Sequence, residues 1–224
     1  MKTNCAVCSN RSSCFNDLTI NELGRISDKK TEISYNKGET IIKQNTFASH
    51  IYFVKSGLVK IYMETANKKD LILEIAGKGA MIGITSLNHG NRYKFSVAAI
   101  TEVKACEIDI EIINNILFNN ISFATTIIAS LNDTVDMLFS KVQCLSQKNA
   151  QARMAELLIN FADKIYKAKS YNINLSRNEL AELTNIATEN VVRILKEFNK
   201  EGLIISKGKN IEIIDYDKLK LLSE

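Results

Sequence analysis

Three cysteines crowd the run CAVCSNRSSC at residues 5–14, spaced Cys5-x2-Cys8-x5-Cys14, in a chain of 224 residues that has only five cysteines. Thiols at that density can form disulfides, bind zinc, hold an iron–sulfur cluster, or do none of these. The count is odd, and the opening MKTNCAVCSN has no apolar signal core. Both features point to a reducing cytoplasm, where a disulfide framework is not expected. Zinc sites and iron–sulfur clusters both accept four cysteine thiolates. Cys106 and Cys144 are the other two thiols, and Cys144 stands among apolar neighbours, as a packed thiol does. Haem would need a histidine. His50 opens a strand-like run and His89 lies in a polar loop, so both are expected at the surface. No Ser/His/Asp constellation, phosphate loop or HExxH motif is present, so enzyme chemistry is not expected.

A second constellation lies near the C-terminus, in LSRNELAELTNIATENVVRILKEFNKEGLIISKGKNIEIID. Ser176 followed by Glu179 is a capping box and predicts a helix start. Asn185 suits the left-handed conformation of a sharp turn. Thr188 is placed to cap a second helix that ends at Gly202. Small Ala181 and apolar Ile186, Val191 and Leu195 give the two helices a common packing face, the spacing of a helix-turn-helix. LIIS and IEIID flank KGKN as a hairpin with a basic tip, so a winged helix-turn-helix is expected. Glu189 and Arg193, four residues apart, share one helix face. Arginine can donate twice to guanine, and glutamate can accept from cytosine N4. The plain alternative is an ion pair between them on a solvated helix. Arg177, Lys207 and Lys209 are expected to touch phosphates, which position a protein without specifying sequence.

The elements that must position these residues fall into two textures. From Thr31 to Ile108, short runs rich in Ile, Val, Tyr and Phe alternate with glycine turns, as in a β-sandwich or jelly roll. Within HIYFVKSGLVKIYM, Ser56-Gly57 reads as a hairpin turn with a positive φ at Gly57. Helix follows: a short one over DIEIINNILF, a long one over 121–145, and an amphipathic one over 148–169. Along the long helix, Ile127, Leu131, Leu138, Val142 and Leu145 recur at three-, four- and seven-residue steps, as in a helix–helix seam. No apolar run reaches the roughly 18 residues that span a bilayer. The net charge of +4 permits nucleic-acid binding without demanding it. From Lys148 to Lys209 there are eleven Lys and Arg against seven Asp and Glu, so the helix-turn-helix segment is basic.

The order β-roll, long helix, winged helix resembles the Crp/Fnr family of bacterial transcription regulators, over nearly the whole chain. YNKGETIIKQNTFASHIYFVKSGLVKIY is similar to the family's first roll repeat, and GKGAMIG to its glycine-rich turn. SQKNAQARMAELL is similar to the start of the DNA-binding domain in its Fnr branch, and ENVVRILKEFNKEGLI to the recognition helix and the approach to the wing. The resemblance implies an α+β fold: a cysteine-rich arm over 1–20, a cyclic-nucleotide-binding-like roll over 21–120, a dimerisation helix over 121–146 and a winged helix-turn-helix over 147–224. It assigns base contact to Glu189, Val192 and Arg193. Fnr commonly has serine where Val192 stands, and valine can touch only a thymine methyl, so the half-site is expected to differ.

The family's cyclic-nucleotide branch uses a Glu near the glycine turn and an Arg-Ser about ten residues on. Here Ala80 and Lys94-Phe95 occupy those places, with Arg92 nearby as a shifted partner. The arginine that pairs a cyclic phosphate is missing, so cAMP is not the expected effector. The cysteine spacing instead matches the oxygen-sensing branch, whose fourth ligand lies at the end of the roll, where Cys106 stands. The resemblance therefore implies a 4Fe-4S cluster on Cys5, Cys8, Cys14 and Cys106, sensing oxygen, redox state or nitric oxide. Zinc, haem, another small effector, or an interaction module without DNA are the alternatives. It also implies a homodimer on a two-fold symmetric DNA site, RNA polymerase as a partner, and no membrane. Asp133 and Asp136 would oppose dimerisation by charge repulsion; Ser140 stands where Fnr has such an acid.

Overall fold

The computed structural model describes residues 4–8, 13–65, 70–87 and 92–224. Capping and periodicity place its elements. Thr19 and Glu22 form a reciprocal capping box that starts α1 (Ile20–Lys29), whose buried Leu23 and Ile26 face inward. Two 3-10 turns, Cys5–Val7 and Ser13–Asp17, precede it and bury Cys5 and Phe15.

The eight strands of the roll make two antiparallel sheets. β1 (Thr31–Tyr35), β3 (His50–Ser56), β6 (Met81–Ile82) and β8 (Val103–Asp109) form one, in the order β1-β8-β3-β6. β2 (Thr40–Ile42), β4 (Val59–Met63), β5 (Leu71–Ala76) and β7 (Ser96–Ala99) form the other, in the order β2-β7-β4-β5. Alternation along β8 separates two cores. Val103 and Ala105 face the core between the sheets, with Tyr52, Val54, Val59 and Val97. Ile108 faces a second core, with Cys5, Phe15, Leu23, Ile26 and Phe123.

The expected Ser56-Gly57 hairpin is not a paired one. Gly57 has φ +88°, as expected, but β3 and β4 belong to different sheets. The turn carries the chain across the sandwich, and a Cβ at Gly57 would lie 2.2 Å from the Glu102 carbonyl oxygen.

Asp109 caps α2 (Ile110–Asn119) through the Glu111 N–H. The long helix α3 (Ile121–Gln147) follows directly. Two compact units emerge. One comprises residues 1–64 and 75–137, the other 65–74 and 138–224, so the division falls within α3. The second unit holds α4 (Ala150–Asn160), β9 (Ser170–Asn172), α5 (Arg177–Thr184), α6 (Thr188–Lys200), β10 (Ile204–Lys207), β11 (Asn210–Ile213) and α7 (Tyr216–Leu222). The single helix expected over 148–169 is shorter. α4 gives way to a π-helical turn at Phe161–Tyr166, and Lys167 adopts φ +51°. The last residues of that span lead into β9, which joins the wing in the order β10-β11-β9. No single helix among the described residues is long and apolar enough to cross a membrane.

Candidate functional site

Cys106 is placed by the sheet. It sits on β8 between Glu32 of β1 and Phe53 of β3. Cys5 is placed by the arm: Asn4 caps its 3-10 turn through the Ala6 N–H, and the Cys5 N–H donates to Ser27 Oγ of α1 at 2.8 Å. Cys5, Cys8 and Cys106 line one small cavity with Phe15, Phe53 and Ile108. The space holds about one water.

Two lysines also line that cavity, Lys30 and Lys55. Lys30 is 1% exposed. Its ammonium donates to Glu32 Oε1 at 3.0 Å and lies 3.9 Å from the Cys106 sulfur. Lys55 donates to the other Glu32 oxygen at 2.7 Å. One carboxylate thus bridges two ammonium groups beside three thiols. Burial works against the charge on Lys30, but its bond to Glu32 and the nearby Cys106 and Cys5 more than offset this and raise its pKa. Burial pushes the Cys106 thiol up, and Lys30 pulls part of that back. Neither lysine nor Glu32 stood out in the sequence, where charged residues read as solvated surface.

Cys14 is not brought to this cavity. Its sulfur lies 3.9 Å from Ser130 Oγ on α3. Successive residues of a 3-10 turn point about a third of a revolution apart, and here Phe15 takes the inward place, its ring 5.9 Å from Phe53 and 6.3 Å from Phe123. Among the described residues, no three Cys, His, Asp or Glu side chains stand in metal-ligating geometry. By donor type the residues fit a thiolate-bound centre: three sulfurs converge, and the adjoining cluster of two lysines and one glutamate carries net positive charge. Cys144 is a different kind of thiol. Burial and a bond to Glu156 push it up to about 11, so it sits in a polar network rather than a purely apolar seam. His50 Nδ1 lies 2.7 Å from Ser49 Oγ and 3.5 Å from Glu107, while His89 lies outside the described residues.

At the cyclic-nucleotide position, the Phe95 side chain packs against the core between the sheets, Ala80 does the same, and Lys94 is exposed. Arg92 is used locally, donating to the Asn45 carbonyl at 2.5 Å.

The helix-turn-helix is built as its residues predict. The Ser176–Glu179 capping box starts α5, and Asn185 ends it at φ +49°, ψ +49°. Leu180, Ala181, Ile186, Val191, Ile194, Leu195 and Phe198 are buried at the helix crossing. Thr188 is not the cap of α6. Ala187, whose backbone is extended, holds that position and has no side-chain acceptor, while the Thr188 hydroxyl donates to Asn178 Oδ1 of α5 at 3.0 Å.

Along α6 the exposed face carries Glu189, Val192, Arg193, Lys196 and Lys200. The alternative ion pair between Glu189 and Arg193 does not form: Arg193 pairs with Glu197, one turn on, at 2.9 Å. Lys196 and Lys200 extend the stripe by two turns, at a helical spacing legible in the sequence. Lys207 and Lys209 are exposed at the wing tip, on either side of Gly208. Arg177 lies beside the wing and lines a surface groove with Val192, Lys196 and Lys200. It is half-buried, and its Nη2 donates to the Gly208 carbonyl at 2.8 Å, bracing the wing turn.

The apolar stripe expected along α3 does not hold at Ile127. Ile127 is 3% exposed and belongs to the core with Phe123. Its neighbour Ile128 is 58% exposed and Val135 is 45% exposed. Ile121, Ala124, Ile128, Leu131, Val135, Leu138, Val142 and Leu145 recur at strictly alternating three- and four-residue steps. Val135 divides the seven-residue step between Leu131 and Leu138. Asp133 and Asp136 fall outside this stripe and are exposed.

Known proteins resemble the chain in both halves. Residues 32–120 match the family model of the cyclic nucleotide-binding domain, and residues 152–222 match the Crp-like helix-turn-helix domain. Electron transport regulator A of Shewanella oneidensis is 27% identical over 227 aligned positions, covering 98% of this chain and 90% of that protein. The fumarate and nitrate reduction regulatory protein of Escherichia coli K12 is 24% identical with the same coverage. Among solved structures, FixK2 from Bradyrhizobium japonicum superposes with a TM-score of 0.81 at 20% identity, over 87% of this chain and 98% of that one. With a roll, a long helix and a winged helix-turn-helix in that order, the chain belongs to the Crp/Fnr family of DNA-binding transcriptional regulators.

Proposed function

We infer that the protein is an oxygen- or redox-responsive regulator. It reads a two-fold symmetric DNA site as a homodimer and senses its signal through a 4Fe-4S cluster on Cys5, Cys8, Cys14 and Cys106. The observation that carries this reading is the convergence of Cys5 and Cys8 from the arm with Cys106 from β8, beside two lysines. Similarity to the fumarate and nitrate reduction regulatory protein supports the redox assignment.

When bound, such a cluster supplies a centre that oxygen or nitric oxide can attack. The chain's own residues do the rest. Cys5 and Cys8 would tie the arm, through the same centre, to Cys106 on β8. Cys14, which lies against α3 through Ser130, would supply the fourth thiolate by turning toward the other three. Release of those thiolates would free the arm beside α3, and the dimer equilibrium would shift with it. Lys30 and Lys55 offset the negative charge of four thiolates.

The alternating apolar stripe of α3, from Ile121 to Leu145, joins the two subunits. The pair of α6 helices then enters successive major grooves. Glu189, Val192 and Arg193 contact bases, while Lys196, Lys200, Lys207 and Lys209 contact phosphates. Arg177 braces the wing turn through Gly208 and keeps further N–H donors for a phosphate. Phe95 and Ala80 at the cyclic-nucleotide position argue against cAMP. RNA polymerase is the partner such a regulator works through. Binding-site selection from random duplexes tests the DNA assignment: the wild-type chain should yield one symmetric site, and Arg193→Ala should lose its guanine preference. The same site emerging undiminished from Arg193→Ala would refute it.

A further inference from the structure

Arg193 is not a free side chain on the reading face of α6. Its Nη1 donates to Glu197 Oε1 at 2.9 Å, and its Nη2 reaches Asn190 Oδ1 at 3.5 Å. The second oxygen of Glu197 accepts from Gln151 Nε2 at 3.1 Å. Gln151 stands in the first turn of α4, the helix that opens the C-terminal unit. A chain of side-chain bonds therefore runs from α4 through Glu197 to Arg193.

Stability does not account for this arrangement. Arg193 is 58% exposed and Glu197 33% exposed, and exposed pairs of this kind add little to folding. Positioning does account for it. An arginine loses considerable rotamer freedom when it is held for a base contact. A carboxylate that already holds one guanidinium nitrogen, and is itself held from a second helix, removes part of that loss before DNA arrives. Guanidinium has five N–H donors, so the bond to Glu197 leaves enough for a bidentate contact with guanine. The carboxylate also sets a negative charge beside the phosphate-facing stripe, which weakens binding to duplexes that offer Arg193 no base partner.

We propose that Glu197, anchored by Gln151, is a positioning residue that sets the DNA sequence specificity of Arg193. This rests on α6 being the base-reading helix. Two variants of the full chain separate its two effects. Glu197→Gln removes the charge and weakens the hold on Arg193. Gln151→Ala keeps the charge and removes only the anchor.

The experiment is binding-site selection from random duplexes, followed by titration of the selected and an unrelated duplex at several salt concentrations. Glu197→Gln should lower the ratio of specific to non-specific affinity about tenfold, relax preference at the guanine read by Arg193, and raise non-specific affinity. Gln151→Ala should relax the same position by a smaller factor while leaving non-specific affinity and its salt slope unchanged. If both variants keep the wild-type base preference and affinity ratio within twofold while Arg193→Ala loses them, the positioning role is overturned and the reading helix stands. If the wild-type chain selects no site, the reading helix and the positioning role fall together.

Discussion

Lys141, in the last two turns of α3, donates its ammonium to the carbonyl of Leu183 at 2.5 Å. Leu183 lies in the final turn of α5, where helix carbonyls have no partner within the helix. Arg153 of α4 caps the next two carbonyls, those of Thr184 and Asn185, at 2.9 and 3.1 Å. Cations at a helix C-terminus also meet its negative dipole end. The turn that aims α6 is therefore pinned from α3 and α4 by two cations. Lys141→Met leaves the Leu183 carbonyl without its donor and should destabilise the C-terminal unit by about 1–2 kcal/mol. Chemical denaturation followed by a probe in that unit measures it, and a change below about 0.3 kcal/mol would show the bond carries nothing.

The proposed pairing of two subunits along α3 makes a prediction about which apolar residues matter. Val135→Asp places a charge in the middle of the alternating stripe and should convert a dimer to a folded monomer at micromolar concentration. Ile127→Asp places it in the subunit's own core and should unfold the N-terminal unit instead. Asp136→Ala lies off the stripe and should leave the association constant unchanged. Sedimentation equilibrium with circular dichroism distinguishes the three.

Thiol reactivity should divide the cysteines in reduced, metal-free protein. The thiolate is the reacting form. Cys144 is pushed up to about 11 by burial and Glu156, and burial pushes Cys106 up as well. Both should be alkylated more slowly at pH 8 than the partly exposed Cys8 and Cys14. Mass spectrometry of timed iodoacetamide reactions reads the order, and early labelling of Cys144 would contradict it.

Glu22 gives a pH dependence with a definite sign. Burial works to raise its carboxyl, but bonds from Thr19 and Asn120 and the nearby Arg25 outweigh that and lower its pKa. A carboxylate with a lowered folded value stabilises fully above its unfolded value, 4.5, and loses that contribution as pH falls through the folded one. Wild type should therefore be more thermally stable than Glu22→Gln at pH 7, and the gap should close as the pH falls well below 4.5. A gap that persists or widens in acid would contradict the capping role.

Local chemistry made much of the fold legible. The Ser176–Glu179 box and the left-handed Asn185 depend on neighbours within a few residues, and both stand where the sequence places them. Features set by distant partners were not legible. Thr188 is not the cap of α6, and its hydroxyl donates to Asn178 on another helix. Arg177 turns to the wing because a carbonyl at Gly208 awaits it. Ile127 and Ile128 are chemically alike, and only the packed roll decides which one faces inward. Lys30 is buried because Glu32 and the thiols compensate its charge, a juxtaposition of strands and arm that no spacing announces. Cys5, Cys8 and Cys106 do share a cavity, whereas the side that Cys14 faces depended on how one 3-10 turn is wound.

The sensing assignment stands or falls on the metal bound by the full chain isolated without oxygen. Iron, acid-labile sulfide and zinc should be quantified together, with a visible spectrum recorded before and after exposure to air. A 4Fe-4S centre requires about four iron and four sulfide per chain, a broad visible band that decays in air, and loss of both in Cys106→Ala. Zinc in place of iron, or a colourless chain holding no metal, would contradict it.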